Sequence, residues 1–321
     1  MKRMIIMVLV VILSLTANAS LVFAAPNFPT RRVEIIVPFG PGSGTDTTAR
    51  AIAAPLEKVL GVPVIVQNVE GSSGLRGLEH ASRQPADGYT IFLNNTTHIL
   101  LQAQNISPIA LTESFDPLVC LVQDSVLFTA AANGRFKTWK EVVAHAKENP
   151  GDVTVSGSSP RGIDGLSTLM TAKGAGIEVT FVSFNSGAEA MTAILGGHVD
   201  LGNMGPADAA EMIESGEMIG LLITSENRLS TVPDVPTTVE EGINVTAGAW
   251  RGLAVPKGTP PEVIAILESA IREAYDSPEF QQWLVDFSLD ERYAWKNSKE
   301  FGEFWRSELE QFRGAFAELG L

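Results

Sequence analysis

The sequence of 321 residues has a single cysteine, few aromatic residues and a shortage of positive charge. With Cys120 alone, no disulfide can form within the chain, and its apolar neighbours predict a buried thiol. Lysine and arginine number 23 against 37 aspartates and glutamates, so the net charge is −14. Because binding to a phosphate backbone needs clustered positive charge, this balance argues against a nucleic-acid partner.

The sequence also lacks the common signatures of hydrolases, zinc enzymes and nucleotide-binding proteins. It has no G-x-S-x-G elbow and no H-E-x-x-H motif, and its four histidines are scattered. Its first glycine-rich segment carries Thr45 where a dinucleotide motif needs a third glycine. We therefore expect no catalytic residues, no metal and no cofactor. An exported hydrolase or isomerase on an α/β scaffold stays open as an alternative.

Long hydrophobic runs are missing beyond the first two dozen residues. Lys2 and Arg3 precede an apolar run from Met4 to Leu15, and small residues lead to Ala24. This pattern predicts a signal peptide over residues 1–24 with cleavage after Ala24. The apolar core is shorter than the ~20 residues that a membrane-spanning helix needs. We expect an exported protein that is soluble after cleavage.

Short β-branched runs alternate with helical patterns along the chain. Val33–Val37 precedes a helical period over Thr47–Leu60, and Val62–Val66 precedes another over Gly77–Arg83. This rhythm of βαβ units predicts an α/β fold. Pro55 should kink the first of these helices. Capping residues predict further helix starts at Thr138, Ser186, Thr237 and Thr259.

Three loops that follow predicted strands combine glycines, hydroxyl groups and helix starts: residues 38–46, 157–165 and 184–189. Free N–H groups at a helix N-terminus favour an anion, and a carboxylate only accepts hydrogen bonds. These loops therefore suit a carboxylate. Two questions stay open. Arg161 either binds the ligand or is a solvated surface charge. Trp250, beside Arg251, either packs in the core or lines the ligand pocket.

Four segments together resemble the Bug family, the substrate-binding proteins of tripartite tricarboxylate transporters. They are Ile35–Asp46, Pro85–Thr90, Leu195–Asp200 and Val232–Thr237, and the resemblance extends from about Phe28 to Leu319. It implies a two-lobed periplasmic binding protein of type II, a Venus flytrap. Each lobe would hold a mostly parallel sheet flanked by helices, with two chain crossovers between the lobes.

The resemblance also implies lobe boundaries and ligand-binding residues. Lobe 1 would comprise residues 25–130 and 251–321, and lobe 2 residues 131–250. The residues expected to line the cleft are Phe39, Gly42, Ser43, Gly44, Thr45, Asp46, Ser158, Ser159, Arg161, Asn185, Ser186, Gly187 and Asn203.

The function implied by this resemblance is solute binding and not enzymatic catalysis. A monomer would capture a small carboxylate, with a dicarboxylate or tricarboxylate favoured, and deliver it to the membrane permease subunits of the transporter. Phe184–Gly187 and Arg161–Asp164 depart from the pattern of many family members, so the substrate is not named. A ligand-sensing protein that presents the same closed state to a receptor kinase stays an alternative.

Overall fold

The computed structural model describes residues 27–157, 160, 162–184, 187–287, 289–290 and 295–320. The predicted signal peptide and cleavage after Ala24 lie outside these residues. The strands are β1 (Val33–Val37), β2 (Val64–Asn68), β3 (Thr90–Asn95), β4 (Phe115–Gln123), β5 (Leu127–Ala131), β6 (Thr154–Gly157), β7 (Thr180–Ser183), β8 (Leu201–Met204), β9 (Met218–Ile223) and β10 (Trp250–Pro256).

The helices surround these strands and complete the predicted α/β pattern. They are α1 (Gly44–Leu60), α2 (Leu75–Ser82), α3 (Thr96–Ala103), α4 (Leu111–Ser114), α5 (Trp139–Glu148), α6 (Ile163–Ala175), α7 (Gly187–Leu195), α8 (Pro206–Glu214), α9 (Pro261–Tyr275), α10 (Pro278–Asp286) and α11 (Ser298–Leu319). Within the described residues, none of them combines the length and apolar character needed to cross a bilayer.

The strands form two open sheets of the same design, one in each lobe. The first has the order β2-β1-β3-β10-β4 and the second the order β7-β6-β8-β5-β9. In each sheet one strand is antiparallel to both of its neighbours: β10 in the first sheet and β5 in the second. The remaining strands share one direction, which confirms the predicted two-lobed fold with mostly parallel sheets.

The first crossing between the sheets differs from the predicted boundary after residue 130. β5 already belongs to the second sheet, so the chain crosses within residues 124–126. It returns to the first sheet at β10, which starts with Trp250 where the sequence predicts 251. The apolar runs of β4 and β5 lie close together and are both buried, so hydrophobicity alone does not mark the crossing.

Helix α1 begins three residues before its predicted start because Ser43 caps it. The Ser43 Oγ accepts a hydrogen bond of 3.2 Å from the Asp46 N–H. Ile52 and Leu56 are fully buried against the first sheet. The helix continues through Pro55 to Leu60, because packing of this apolar face opposes the helix-breaking effect of a proline.

The predicted helix after Thr237 is wrong. Thr237 and Glu240 do exchange the two hydrogen bonds of a capping box, at 2.9 and 3.1 Å. The chain makes a turn there instead, and Gly242 closes it with a φ of 75°. The capping box therefore forms here, but the residues after it lack the apolar periodicity that would stabilise a helix. The start at Thr138 is confirmed by its bond from the Glu141 N–H.

The other face of the first sheet packs against α3 and α11, and Trp250 is part of that core. Its side chain is 1% exposed and meets the Phe301 ring edge to face at 5.3 Å. The indole Nε1 donates to Glu308 Oε2 at 3.2 Å. Of the two alternatives for Trp250, the structure therefore supports packing.

Gly77 allows α2 to approach the strand that leads into the first loop. A Cβ at position 77 would lie 2.6 Å from the Pro38 Cα and 2.9 Å from the Val69 carbonyl oxygen, and both are backbone atoms. We expect Gly77→Ala to lower the free energy of unfolding by about 1–3 kcal/mol, as measured by urea denaturation. Gly314→Ala is the control, because no atom lies within 4 Å of a Cβ there. Equal stability of the two variants would contradict this packing argument.

Candidate functional site

The candidate site lies where the parallel strands of the first sheet end. β1, β2 and β3 run in one direction, so the loops that follow them meet at the carboxyl edge of the sheet. β10 starts at the same edge, because Arg251 pairs with Asn95 at the end of β3. In open α/β sheets this edge is the usual place for a ligand.

Asp46 organises the first loop from inside. Asp46 is only 2% exposed. Its Oδ2 accepts hydrogen bonds of 2.9 Å from the Gly42 N–H and from Arg50 Nε. Its Oδ1 accepts a bond of 2.9 Å from Asn68 Nδ2. Asn68 also donates to the Phe39 carbonyl oxygen at 2.9 Å. The last residue of β2 therefore fixes both ends of the loop after β1.

The carboxylate of Asp46 is ionised in this setting. Burial by itself raises the pKa of Asp46, but the hydrogen bonds from Arg50, Gly42 and Asn68 lower the pKa by more, so it lies below its usual range. Its oxygens are engaged within the loop. Among the predicted cleft residues, Asp46 thus holds the loop in shape, whereas Gly42 and Phe39 take part through their backbones.

The start of α1 presents hydrogen-bond donors at this edge. The first turn begins with Ser43, whose carbonyl oxygen accepts from the Thr47 N–H at 2.9 Å. The N–H groups of Gly44 and Thr45 precede this bond, in the part of a helix where amides have no intrahelical acceptor. Thr45 is 5% exposed, and its hydroxyl has no hydrogen-bond partner among the described residues. These donors suit an anion at the positive end of the helix dipole.

His98 supports the loop from below, and sequence reasoning did not find it. Its side chain is fully buried between the rings of Phe39 and Phe92, at centroid distances of 6.2 and 5.1 Å. The Asn95 N–H donates to its Nδ1 at 3.2 Å. Burial lowers the pKa of His98 to about 4, so the imidazole is neutral at physiological pH.

The second lobe repeats this arrangement of loops at strand ends. β6 ends at Gly157 and β7 at Ser183, and the two strands are parallel neighbours. Gly187 is the first residue of α7. The other residues predicted for these loops lie outside the described residues: Ser158, Ser159, Arg161, Asn185 and Ser186. Their contact with a ligand stays a prediction.

Asn203 ties the second sheet to the start of α6. Its Nδ2 donates to the Asp164 carbonyl oxygen and to the Thr168 hydroxyl, both at 2.8 Å. The amide N–H groups are therefore used within the protein. This geometry assigns Asn203 the positioning of the start of α6, and direct contact with a ligand stays a prediction.

Arg251 is a second residue that sequence reasoning left out of the site. A Cβ on Gly44 would lie only 2.8 Å from its Nη2 and 3.2 Å from its Cζ, so the guanidinium lies against the start of α1. In the sequence, the only indication of such a role was that Arg251 lies next to Trp250, at the second crossing between the lobes. The missing information was the strand register that brings it to the first loop.

Four cavities among the described residues have linings that do not include the first loop. One of about 880 Å³ lies between α9 and the start of α11, and one of about 500 Å³ lies between α9 and the end of α1. A groove of about 550 Å³ lies between the later turns of α6 and α11, and a cavity of about 280 Å³ adjoins the crossings around Asp124 and Trp250. Within the described residues, no group of three or more His, Cys, Asp or Glu side chains could hold a metal ion. The loops at the strand ends remain the candidate ligand site.

Comparison with known proteins agrees with this reading. Residues 48–321 match the sequence model described as "Tripartite tricarboxylate transporter family receptor". The protein BugT of Bordetella pertussis is 33% identical over 273 residues, which cover 82% of each chain. The crystal structure of a TctC solute-binding protein from Polaromonas is 28% identical, with a TM-score of 0.81, and covers 91% of this chain and 99% of its own.

A fourth comparison adds a structure with a ligand. MatC of Rhodopseudomonas palustris, solved with bound malate, is 26% identical with a TM-score of 0.72, and the match covers 90% of this chain and 99% of MatC. The family model spans most of the chain, and the two-sheet fold is shared with solute-binding proteins of that family. The chain therefore belongs to the tripartite tricarboxylate transporter receptor family, whose members are periplasmic solute-binding proteins and not enzymes.

Proposed function

We propose that this protein captures a small dicarboxylate or tricarboxylate between its lobes and delivers it to the permease subunits of a tripartite tricarboxylate transporter. It does so as a monomer in the periplasm, after the signal peptide is cleaved at Ala24. The observation that carries the proposal is the first loop, in which Asp46 fixes the backbone and leaves the donors of Gly44 and Thr45 at the cleft.

The chemistry of this loop favours a carboxylate over other small ligands. A carboxylate accepts hydrogen bonds and donates none, which matches two backbone N–H groups and a hydroxyl. The carboxylate within this loop, that of Asp46, is buried and shared by Arg50 and Asn68, so it does not compete for these donors. The malate bound to the related MatC is itself a dicarboxylate, which supports the same ligand class here.

Closure of the lobes follows from a ligand that bonds to both. A ligand shifts an open protein to a closed state only if it binds the closed state more tightly. A carboxylate held at the start of α1 gains this preference when its far end meets the loops after β6 and β7. Ser158, Ser159, Asn185 and Ser186 are the residues proposed for that second contact. Delivery then depends on the permease recognising the closed lobes.

Thermal unfolding of the refolded, ligand-free mature chain tests the proposal. A true ligand at ~100 times its dissociation constant adds about 2.7 kcal/mol, which raises the midpoint by a few degrees. We expect dicarboxylates or tricarboxylates to do this and neutral solutes of the same size not to. Thr45→Ala should weaken binding about tenfold through the loss of one donor to a charged group.

Thr231→Ala is the matched control for Thr45→Ala, because Thr231 is exposed in a turn between β9 and β10. It should bind like the wild type. If no carboxylate raises the midpoint of the folded chain, the proposed ligand class is wrong. If Thr45→Ala and Ser159→Ala both bind as tightly as the wild type, the ligand is held elsewhere.

A further inference from the structure

The turn after β2, residues 71–74, has an unusual backbone. Gly71, Ser72, Ser73 and Gly74 follow one another with φ values of 131°, 51°, 54° and 91°. Of the three non-glycine residues with a positive φ in the described part of the chain, two are these adjacent serines. A side chain in this region crowds the backbone and is unfavourable, whereas glycine adopts the same conformation freely. The fold alone would be better served by glycine at positions 72 and 73.

The turn after β2 lies against the first loop. Because β2 runs parallel to β1, the turn follows its strand at the same edge of the sheet as the first loop. A Cβ on Gly74 would lie 3.1 Å from the Phe39 Cζ and 3.0 Å from His98 Nε2. Just before the turn, the Glu70 Oε2 would lie 2.6 Å from a Cβ on Gly40. The turn after β2 is therefore in contact with the start of the first loop.

Backbone atoms hold this turn in its conformation. The Gly71 carbonyl oxygen accepts hydrogen bonds from the Gly74 N–H at 3.1 Å and from the Arg76 N–H at 3.4 Å. The close approach of Gly77 to Pro38 also fixes the start of α2, which follows the turn directly. These restraints do not involve the serine side chains, so they act equally on a turn without hydroxyl groups.

The hydroxyl groups of the two serines remain available to a ligand. Ser72 and Ser73 are exposed, and neither hydroxyl has a hydrogen-bond partner among the described residues. Neither caps α2, because the N-cap of that helix is Gly74. A hydroxyl can donate to a carboxylate, whose two oxygens together accept about four hydrogen bonds. The strained turn thus places two donors, unused by the described fold, beside Phe39.

We propose that the hydroxyls of Ser72 and Ser73 donate hydrogen bonds to the ligand carboxylate that lobe 1 holds. This inference rests on the proposed function and adds the turn after β2 to the ligand site. Strained backbone persists where the surrounding structure imposes it, and it is concentrated at ligand-binding positions. Gly44 and Thr45 supply donors from the end of the first loop, and the serines supply donors beside its start. The carboxylate is then hydrogen-bonded from both sides.

Glycine substitutions test this assignment. Because glycine adopts a positive φ without strain, Ser72→Gly and Ser73→Gly remove a hydroxyl and keep the shape of the turn. Titration calorimetry with succinate, adipate and tricarballylate gives the dissociation constants of the probes that bind the wild type. We expect each single variant to weaken binding about 3- to 10-fold and the double variant about 10- to 100-fold. The loss should be similar for every probe, because all of them carry the carboxylate that lobe 1 holds.

Asn105→Gly is the matched control. Asn105 is exposed and has the same backbone conformation, with a φ of 54°, but it follows the end of α3 that lies away from the cleft. This variant should bind like the wild type. The unfolding midpoints of all ligand-free variants should stay within a few degrees of the wild type, because relief of strain offsets the greater freedom of glycine in the unfolded chain. A much lower midpoint for the serine variants would show that these side chains support the fold, and it would overturn the proposal.

The binding results distinguish this inference from the proposed function. If the wild type binds none of the carboxylates, the proposed function fails, and this inference fails with it. If the wild type binds them and the double glycine variant binds them equally well, only the role of Ser72 and Ser73 is overturned. Equal weakening by Asn105→Gly also overturns that role, because the loss would then come from a more flexible backbone and not from the hydroxyls.

Discussion

Replacing Asp46 by alanine is expected to lower the free energy of unfolding by about 2–4 kcal/mol and to weaken carboxylate binding at least about tenfold. The substitution removes the acceptor of the Gly42 N–H and one of the two acceptors of the Asn68 amide in a largely buried place. It also frees the loop that presents Thr45, so binding must include the cost of ordering that loop again. Urea denaturation and ligand titration measure the two effects.

An exposed ion pair of the same spacing provides the control for Asp46. Asp276 pairs with Arg272 four residues before it, at 2.7 Å, and half of its side chain is exposed. Exposed pairs of this kind contribute about 0–1 kcal/mol, so Asp276→Ala should change stability little and binding not at all. Asp46→Asn should lie between the wild type and Asp46→Ala, since it keeps the shape and one acceptor. If Asp46→Ala and Asp276→Ala have the same free energy of unfolding, Asp46 does not hold the first loop in shape.

The first loop shows what local sequence can and cannot predict. Its glycines, the cap and the apolar face of α1 depend on neighbours within a few residues, so the helix and its suitability for an anion could be predicted. The inward turn of the Asp46 carboxylate depends on Asn68, which is 22 residues away. That contact follows from the pairing of β1 with β2, and no local pattern encodes the register of two strands.

The crossings between the lobes show the same limit at a larger scale. The sequence predicted two lobes through the family resemblance, but it placed the first boundary within the second sheet. β4 and β5 are both largely buried and apolar, and their membership in different sheets appears only through partners such as Arg251 and Met204. The same long-range pairing brings Arg251 to Gly44, which explains why this residue was not among the predicted cleft residues.

His98 was missed for a different reason. A lone histidine in an apolar segment is ordinarily structural, and its sequence offers no sign of what it supports. The structure gives it two roles in one place, as part of the cap of α3 through Asn95 and as a packing surface for Phe39. Its burial has a consequence for stability that depends on pH.

We expect His98 to make the protein less stable as the pH falls from about 6.5 to about 4. The pKa of His98 is about 4 in the folded state and near 6.5 in the unfolded state, because burial opposes the charged imidazolium. Between these values the unfolded chain binds a proton that the folded chain does not, so acid favours unfolding. The full loss corresponds to about 3 kcal/mol, and below pH 4 this group adds no further loss.

The test compares the slope of unfolding free energy against pH in variants, since carboxylates also titrate near the lower end of this range. His98→Gln should remove the His98 part of the slope between pH 6.5 and 4, whatever its effect on stability at neutral pH. His198→Gln alters an exposed histidine and should leave the slope unchanged. If His98→Gln does not fold, the imidazole resonances of the wild type report the same quantity, and a titration of His98 near pH 6.5 would show that its burial costs nothing. Because Phe39 rests on this ring, protonation of His98 also removes support from the first loop, so carboxylate affinity should fall over the same acidic range.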